Sequence, residues 1–277
     1  MGTLGIISIA IILINLFVSY RGFSDRTFFS KYNFVVENIL VYKEYRRIVT
    51  SGFLHINWMH LIFNMISLYF FSGTLEAFIG PVNFLIIYFV GLIGGNLLSL
   101  LIHKNSGDYS AVGASGAVSA VIFATIALFP NSQIRFFPLP FGLPAWIYGL
   151  AYVIYSIYAI RSKADNVGHD AHLGGGILGM LVGLIMYPSS IASNYLPILI
   201  IAIPAIAFIY IIITNPGILL IDSFFYNKHN FYSIDHKYNF EKKKKQDELD
   251  ELLDKISKRG MNSLSLKEKE RLKELSR

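Results

Sequence analysis

GASGAVSAVIFATIALF, residues 113–129, is an apolar run that carries a serine between two glycines at its beginning. A helix over this run approaches the length that crosses the ~30 Å hydrocarbon core of a bilayer. The small neighbours of Ser115 leave its hydroxyl accessible, and the start of a helix offers free backbone N–H groups to a developing oxyanion. Ser115 is therefore a candidate nucleophile, although a small packing residue is the commoner role for a serine among glycines.

The composition of the whole chain is also apolar. Of its 277 residues, 54% are hydrophobic and 15% are charged, which is too few charges for an ordinary soluble domain. Runs of roughly 16 to 23 residues, near the ~20 that span a bilayer as helix, predict an all-α polytopic membrane protein. The seven runs are Leu4–Tyr20, Phe53–Ser72, Pro81–His103, Val112–Phe129, Ala145–Ile160, Asp170–Tyr187 and Leu196–Thr214.

These runs predict three regions along the chain. Residues 1–187 form a membrane core of six spans, residues 188–221 form a seventh span with its flanks, and residues 222–277 form a charged extramembrane tail. The first span has neither a basic start nor a small-residue cleavage site after it, so we expect a retained helix rather than a signal peptide.

The tail is predicted to be helical. Residues 226–277 hold 14 Lys and Arg against 10 Asp and Glu, which indicates a solvated region. Leu249, Leu252, Leu253 and Ile256 recur at helical spacing within Glu241–Lys258. Ser265 and Glu268 then form a capping-box pattern that predicts a second short helix through Leu275.

His172 is the strongest partner for Ser115. An ionisable side chain inside a span is costly and is by default a functional hypothesis, although a buried histidine bonded to a backbone carbonyl is as common. Gly175 and Gly179 follow one and two turns later on the same face and let another helix approach. If that helix carries Ser115, the imidazole can take the serine proton and return it to a leaving amine. Asp170 points to a different helix face, so a dyad is favoured over a triad.

His60 and Asn64 lie four residues apart and share one face of the second span. Two neutral donors at one spot, together with the backbone N–H of Ser115, would suit an oxyanion hole. The alternative role for Asn64 is a hydrogen bond between helices. For His55 an interfacial histidine in a loop is the favoured interpretation.

A metal site is an alternative role for the histidines. His55, His60, His169 and His172 are four potential ligands, but they have no carboxylate or thiolate help, and a metal site leaves Ser115 and its glycines unexplained. The chain has no cysteine, which excludes disulfides and a cysteine nucleophile. We expect neither a metal nor a cofactor.

Residues 44–183 resemble the rhomboid intramembrane serine proteases. Four sequence motifs carry the resemblance: EYRRIVTSGFLH at 44–55, His60-x-x-x-Asn64, Gly113-Ala-Ser-Gly116, and Ala171-His-x-x-Gly175-x-x-x-Gly179. Each motif alone is weak evidence for the family. Their order, and their placement in the second, fourth and sixth spans, are typical of this family.

The resemblance implies a role for each matching residue. Ser115 is the nucleophile, His172 is the general base, and His60 and Asn64 belong to the oxyanion region with the Ser115 amide. The glycines bring the helices close, with Gly113 and Gly116 around the nucleophile and Gly175 and Gly179 on the sixth span. The sequence departs from the family at Arg46, where tryptophan is usual, and at Ser119, where some members carry a tyrosine that stacks on the catalytic histidine.

The expected function is an intramembrane serine endopeptidase that cleaves transmembrane-anchored proteins near the outer membrane face. Its partners would be single-span or multi-span membrane substrates and the lipid bilayer, with no nucleic acid, and its expected location is a bacterial plasma membrane. A catalytically inactive relative that only binds transmembrane helices is the alternative. A transporter would predict inverted repeats, and no convincing repeat is visible.

The side of the membrane on which the tail lies stays open at this point. A cytoplasmic N-terminus puts Ser115 and His172 near the outer ends of their helices, as the mechanism needs. A seventh span would then place the basic run Lys242–Lys245 outside, against the positive-inside tendency. Alternatively, the last run, which contains Pro197 and Pro204, does not fully span and the tail stays in the cytoplasm.

Overall fold

The computed structural model describes residues 5–135, 142–162 and 168–214, together with residues 249, 252, 253, 255–257 and 272 of the tail. The chain groups into two compact units, residues 1–221 and residues 222–277. The first unit is a bundle of helices with two short two-stranded sheets. Its elements are α1 (Ile6–Ser24), α2 (Arg26–Tyr32), β1 (Phe34–Val35), α3 (Val36–Leu40), α4 (Arg47–Thr50), a 3-10 turn (Ser51–Phe53), α5 (Trp58–Ile79), α6 (Pro81–Ile102), β2 (Ser110–Ala111), α7 (Ser115–Leu128), β3 (Gln133–Arg135), β4 (Gly142–Pro144), α8 (Ala145–Ser162), α9 (His169–Met186) and α10 (Ser189–Thr214).

The predicted all-α polytopic membrane fold is confirmed. Within the described ranges, α1, α5, α6, α9 and α10 are long and apolar enough to cross a membrane, and α7 and α8 are shorter apolar helices. Each of the seven predicted apolar runs overlaps one of these helices. The boundaries differ most at α5, which runs from Trp58 to Ile79 rather than from Phe53 to Ser72, and α10 begins at Ser189 rather than at the predicted Leu196.

α10 begins early because its first turns are a separate segment. Asn194 has a non-helical backbone (φ −123°, ψ 19°) and divides the helix, and Pro197 and Pro204 lie beyond this break. The Asn194 side chain donates to the carbonyl oxygens of Ala127 and Leu128 at 2.9 and 3.3 Å. Carbonyls at a helix end lack partners within the helix, so the break in α10 satisfies the C-terminus of α7.

α7 is the centre of the bundle. Every residue from Gly116 to Leu128 is buried, and the helix packs against α5, α6, α8, α9 and α10. Small side chains make this possible, because they let neighbouring helices come close and pack by van der Waals contact. In a bilayer this contact drives helix association, since lipid tails are as apolar as the side chains and the hydrophobic effect does not favour contact between helices. At 14 residues α7 is shorter than a full span, and its first residue lies at one end of the bundle.

Arg47 organises the segment between α1 and α5. Its buried side chain donates from Nη1 to the carbonyl oxygens of Ser30 and Asn33, at 2.9 and 2.7 Å, and from Nε to the Glu44 carboxylate. This hydrogen bond from Arg47 holds the pKa of the Glu44 carboxyl below its usual value. Arg46, at the unusual position, is 51% exposed and its guanidinium lies 5.8 Å from the centre of the Tyr32 ring.

The connectors include short strand pairs. β1 pairs antiparallel with β2, and β3 pairs antiparallel with β4. In the unit 222–277, the described residues 249, 252, 253 and 255–257 are helical, and Leu252 is buried. Most of the second predicted tail helix lies outside the described residues. The three-region division at 187 and 221 stays a prediction.

Candidate active site

Ser115 is the first residue of the central helix. It is half-buried, whereas all the following residues of α7 are buried, so its hydroxyl lies where the bundle core meets one end. The chain enters α7 through Gly113, whose φ of +136° is a backbone conformation that residues with a Cβ rarely adopt. The Gly113 N–H donates to the carbonyl oxygen of Ser51 at 3.0 Å, which fixes this turn.

His55 holds the same turn from the other side. Its Nε2 accepts the backbone N–H of Ala114 at 3.4 Å, and its Nδ1 lies 2.8 Å from the Ser19 hydroxyl, which itself donates to the carbonyl oxygen of Phe53. These partners fit a neutral imidazole that donates from Nδ1 and accepts at Nε2. Burial, with a smaller contribution from His60, lowers the pKa of His55 to about 3.

His55 was predicted to be an interfacial histidine in a loop. The residue does lie in the loop before α5, but its side chain is fully buried. One of its partners, Ala114, is 59 residues away in the chain. No local pattern at either residue shows such a contact, so sequence reasoning missed it.

His60 lies in the first turn of α5, where the Asn57 side chain accepts its backbone N–H at 2.9 Å. A Cβ built on Gly113 would lie 2.7 Å from His60 Cε1 and 3.5 Å from the Ser115 hydroxyl oxygen. The glycine therefore leaves room for the imidazole beside the serine. The rings of His60 and His55 meet edge to face, with 4.9 Å between their centres.

Asn64 is buried one turn further along α5. Its Nδ2 donates to the carbonyl oxygen of His60 at 3.0 Å, a bond within the helix rather than between helices. An amide NH₂ has two hydrogens, so this bond uses one donor and leaves the second for another acceptor. The loop before α7 and the first turns of α5 thus face each other across Gly113.

His172 lies in the first turn of α9 and is 7% exposed. α9 packs tightly on α7: a Cβ on Gly175 would lie 2.3 Å from the carbonyl oxygen of Gly116, and one on Gly179 would lie 2.4 Å from Ala120 Cα. A Cβ on Gly116 would lie 3.4 Å from the carbonyl oxygen of Ala171. The residue after Ser115 and the residue before His172 are therefore in contact.

The rings of Tyr152 and His169 lie beside the His172 imidazole. The Tyr152 ring of α8 lies with its centre 6.2 Å away and its plane inclined by 29°, and the His169 ring is 5.3 Å away at 72°. The Tyr152 hydroxyl is 2.8 Å from the Ser119 hydroxyl. Ser119, the position at which the sequence departs from the family it resembles, thus contacts a tyrosine that a different helix supplies.

Asp170 has another partner than His172. Its Oδ2 lies 3.2 Å from Nε2 of His103, and the His103 ring stacks on Tyr109 with 3.7 Å between centres. Burial raises the pKa of the Tyr109 hydroxyl, and the nearby Asp170 carboxylate acts in the same direction. This cluster joins the start of α9 to the end of α6. No group of three or more His, Cys, Asp and Glu residues that could hold a metal ion occurs in the part of the chain that the structure describes.

Comparison with known families gives two matches that do not overlap. Residues 42–189 match the rhomboid domain, which covers every candidate site residue. Residues 232–277 match a family of unknown function, DUF6576.

Several curated proteins are similar in sequence. RHOMBOID-like protein 12, mitochondrial, of Arabidopsis thaliana is 30% identical over 183 residues, which are 60% of this chain and 53% of that protein. Rhomboid protein 1, mitochondrial, of Saccharomyces cerevisiae is 31% identical over 159 residues, 55% of this chain and 46% of the relative. Putative rhomboid protease YdcA of Bacillus subtilis is 34% identical over 93 residues, 33% and 46% of the two chains. The chain spans about half the length of these relatives.

Proposed function

This multi-pass membrane protein belongs to the rhomboid family, and we propose that it is an intramembrane serine endopeptidase with a Ser115–His172 dyad. Its substrates are membrane proteins anchored by one or more transmembrane helices, which it cleaves near the outer membrane face. The chemistry uses side chains and backbone groups of this chain and no cofactor.

One observation carries the proposal. The N-terminal ends of α7 and α9 are in contact through Gly116, Ala171 and Gly175, so the candidate nucleophile and base begin neighbouring helices at the same end of the bundle. Glycine at position 175 supports this reading, because a Cβ there would lie 2.3 Å from the Gly116 carbonyl oxygen and would separate the helices.

The reaction proceeds by acyl transfer. The Ser115 hydroxyl attacks the scissile carbonyl carbon while the His172 imidazole takes its proton, which gives a tetrahedral intermediate. The intermediate collapses, the peptide C–N bond breaks, and the protonated imidazole gives the proton to the leaving amine. Water then attacks the Ser115 ester by the same route, and the free serine and a new carboxyl terminus are formed.

The oxyanion region of the proposal lies around Gly113. The backbone N–H of Ser115 belongs to the first turn of a helix, where it has no partner within the helix. The His60 ring beside Gly113 and the second N–H of Asn64 are the side-chain donors. Removing one such donor from a serine protease typically costs about a hundredfold to a thousandfold in kcat.

The substrate must be partly unwound before this chemistry. A helix keeps its carbonyl groups bonded within the segment, and the hydrocarbon core supplies no water for hydrolysis. The half-buried position of Ser115, at the end of α7 rather than in its middle, suits a site that water reaches. Helix-destabilising residues such as Gly or Pro near the cleavage point would lower the cost of unwinding.

The proposed location is a bacterial plasma membrane. The relatives include one bacterial protein and several that are named mitochondrial or chloroplastic. Fractionation of the source cell, followed by detection of the tagged chain, tests this location separately from the activity.

A labelling experiment tests the dyad. The purified protein in mild detergent is treated with a fluorophosphonate, which reacts with activated serines, and Ser115→Ala and His172→Ala are treated in parallel. We expect labelling of the wild type and none of either variant. Equal labelling of Ser115→Ala overturns the nucleophile assignment, and no labelling of a folded wild type favours an inactive relative that only binds transmembrane helices.

A further inference from the structure

We propose that Tyr152 of α8 is a positioning residue that orients the His172 imidazole, and that Ser119 fixes Tyr152 for this task. The inference rests on the proposed function of His172 as general base. The inference adds a residue from α8, a helix that contains none of the four sequence motifs, and it gives a role to the serine at position 119.

Tyr152 is held from the central helix. Its hydroxyl lies 2.8 Å from the Ser119 hydroxyl, and the Phe123 ring packs edge-on against its ring with 5.7 Å between centres. Ser119 and Phe123 follow Ser115 at four and eight residues, so the three share one face of α7. Tyr152 therefore contacts the same face that carries the proposed nucleophile.

The other contact of Tyr152 is with the proposed base. Its ring centre lies 6.2 Å from that of His172 with 29° between the planes, within the range at which aromatic rings attract each other. A ring in this position limits rotation of the imidazole. α7 fixes the tyrosine, and the tyrosine packs on the histidine. The orientation of the His172 ring therefore depends on α7, the helix of Ser115, as well as on α9.

Small size at position 119 makes this arrangement possible. Both Ser119 and Ser115 have short side chains, and Ser119 is 1% exposed, so its hydroxyl is enclosed. A buried tyrosine hydroxyl normally needs a hydrogen-bond partner, and Ser119 supplies it. The aromatic ring that packs on the proposed base thus comes from α8, and α7 contributes the small polar residue, Ser119, that holds this ring in place.

Steady-state kinetics in proteoliposomes test the proposal first. Tyr152→Leu removes the ring, and a base displaced by about 1 Å slows the reaction by roughly a hundredfold, so we expect kcat to fall about tenfold to a hundredfold. KM should stay within about twofold, because ground-state binding is untouched. Tyr158→Leu is the matched control: it lies on the same helix, it is 61% exposed, and it should leave kcat unchanged.

A double-mutant cycle keeps the proposal testable if Tyr152→Leu does not fold. Tyr152→Phe and Ser119→Ala each remove one side of the same hydrogen bond and keep the ring, so each should lower kcat by only about twofold to tenfold. The double variant should be no slower than the slower single variant, because both changes act on one contact. Effects that multiply would overturn the coupling between Ser119 and Tyr152.

An NMR measurement separates this inference from the proposed activity. With labelled histidine, the His172 ring signal, assigned by its loss in His172→Ala, should shift in Tyr152→Leu and stay in place in Tyr158→Leu. An unchanged signal, or an unchanged kcat in Tyr152→Leu, overturns the positioning role. If Ser115→Ala still cleaved substrate, the proposed function would fail, while the ring signal would still report whether Tyr152 packs on His172.

Discussion

Ala114 donates its backbone N–H to Nε2 of His55, a fully buried histidine 59 residues earlier in the chain. The bond fixes the residue before the proposed nucleophile to the loop before α5. It also requires an imidazole without a proton on Nε2, while Nδ1 faces the Ser19 hydroxyl. Protonation of His55 would place an Nε2–H opposite the Ala114 N–H, and two donors cannot form a hydrogen bond. The turn that presents Ser115 therefore depends on a neutral histidine.

Acid should destabilise the fold through His55. The pKa of this histidine is about 3 in the folded protein and near 6.5 when it is exposed, so between these values only the unfolded state binds the proton. The free energy of unfolding therefore falls as the pH drops below 6.5, by at most about 2 kcal/mol at pH 5. Thermal unfolding in detergent at pH 7 and pH 5 measures the effect.

His55→Gln is the comparison for this pH dependence. Its amide oxygen can accept the Ala114 N–H and does not titrate in this range, so the variant should lose less stability than the wild type between pH 7 and pH 5. An identical loss in both proteins would assign the acid sensitivity to other groups.

Tight packing of α9 on α7 predicts an unequal response to added methyl groups. A Cβ on Gly179 would lie 2.4 Å from the backbone of Ala120, whereas one on Gly183 would lie at an ordinary 3.4 Å from Ala124 Cβ. Gly179→Ala should destabilise the protein by about 1–3 kcal/mol, the usual cost of overpacking. Gly183→Ala on the same helix is the control. Equal unfolding temperatures for the two variants would mean that the helices can separate without cost.

Arg47 and Arg46 should differ in importance although they are adjacent. Arg47 is buried and donates to two backbone carbonyls, so Arg47→Gln leaves acceptors without partners and should cost about 1–3 kcal/mol. Arg46 is half-exposed, and an exposed ion pair contributes little, so Arg46→Gln should cost less than about 1 kcal/mol. Thermal unfolding of both variants checks the ranking, and a larger loss for Arg46→Gln would contradict it.

Asp170 should be dispensable for the proton transfer itself. Its carboxylate lies 3.2 Å from His103, which ties α9 to the end of α6. Asp170→Asn should therefore reduce kcat by less than about tenfold, whereas loss of an orienting aspartate in a catalytic triad costs about ten-thousandfold. A loss of the larger size, in a variant with normal unfolding temperature, would replace the proposed dyad by a triad.

The sequence predicted the helices better than their contacts. Apolar runs of spanning length identify membrane helices, because a segment in lipid must satisfy its backbone hydrogen bonds internally and a helix does so. All seven helices were therefore expected. Helix ends were harder: the early start of α10 depends on Asn194, whose partners lie at the end of α7. Charge and hydropathy along α10 carry no sign of that contact.

In the candidate site too, individual residues were easier to predict from the sequence than the contacts between them. His60 and His172 stand out in the sequence because ionisable residues are costly in apolar spans. Ser115 stands out only through its place between two glycines at the start of a span. The contact of His55 with Ala114 and that of Tyr152 with Ser119 were not predicted, since each joins residues far apart in the chain. An aromatic residue in an aromatic-rich helix gives no local signal of such a partner.

Cleavage in a defined membrane tests the central claim most directly. Wild-type protein, Ser115→Ala and His172→Ala are each reconstituted in liposomes with a tagged single-span substrate that has glycine near its outer end, and the products are sized by mass spectrometry. We predict one cut near that end by the wild type and none by either variant. A cut at the same position and rate by Ser115→Ala would contradict the assignment of Ser115 as the nucleophile.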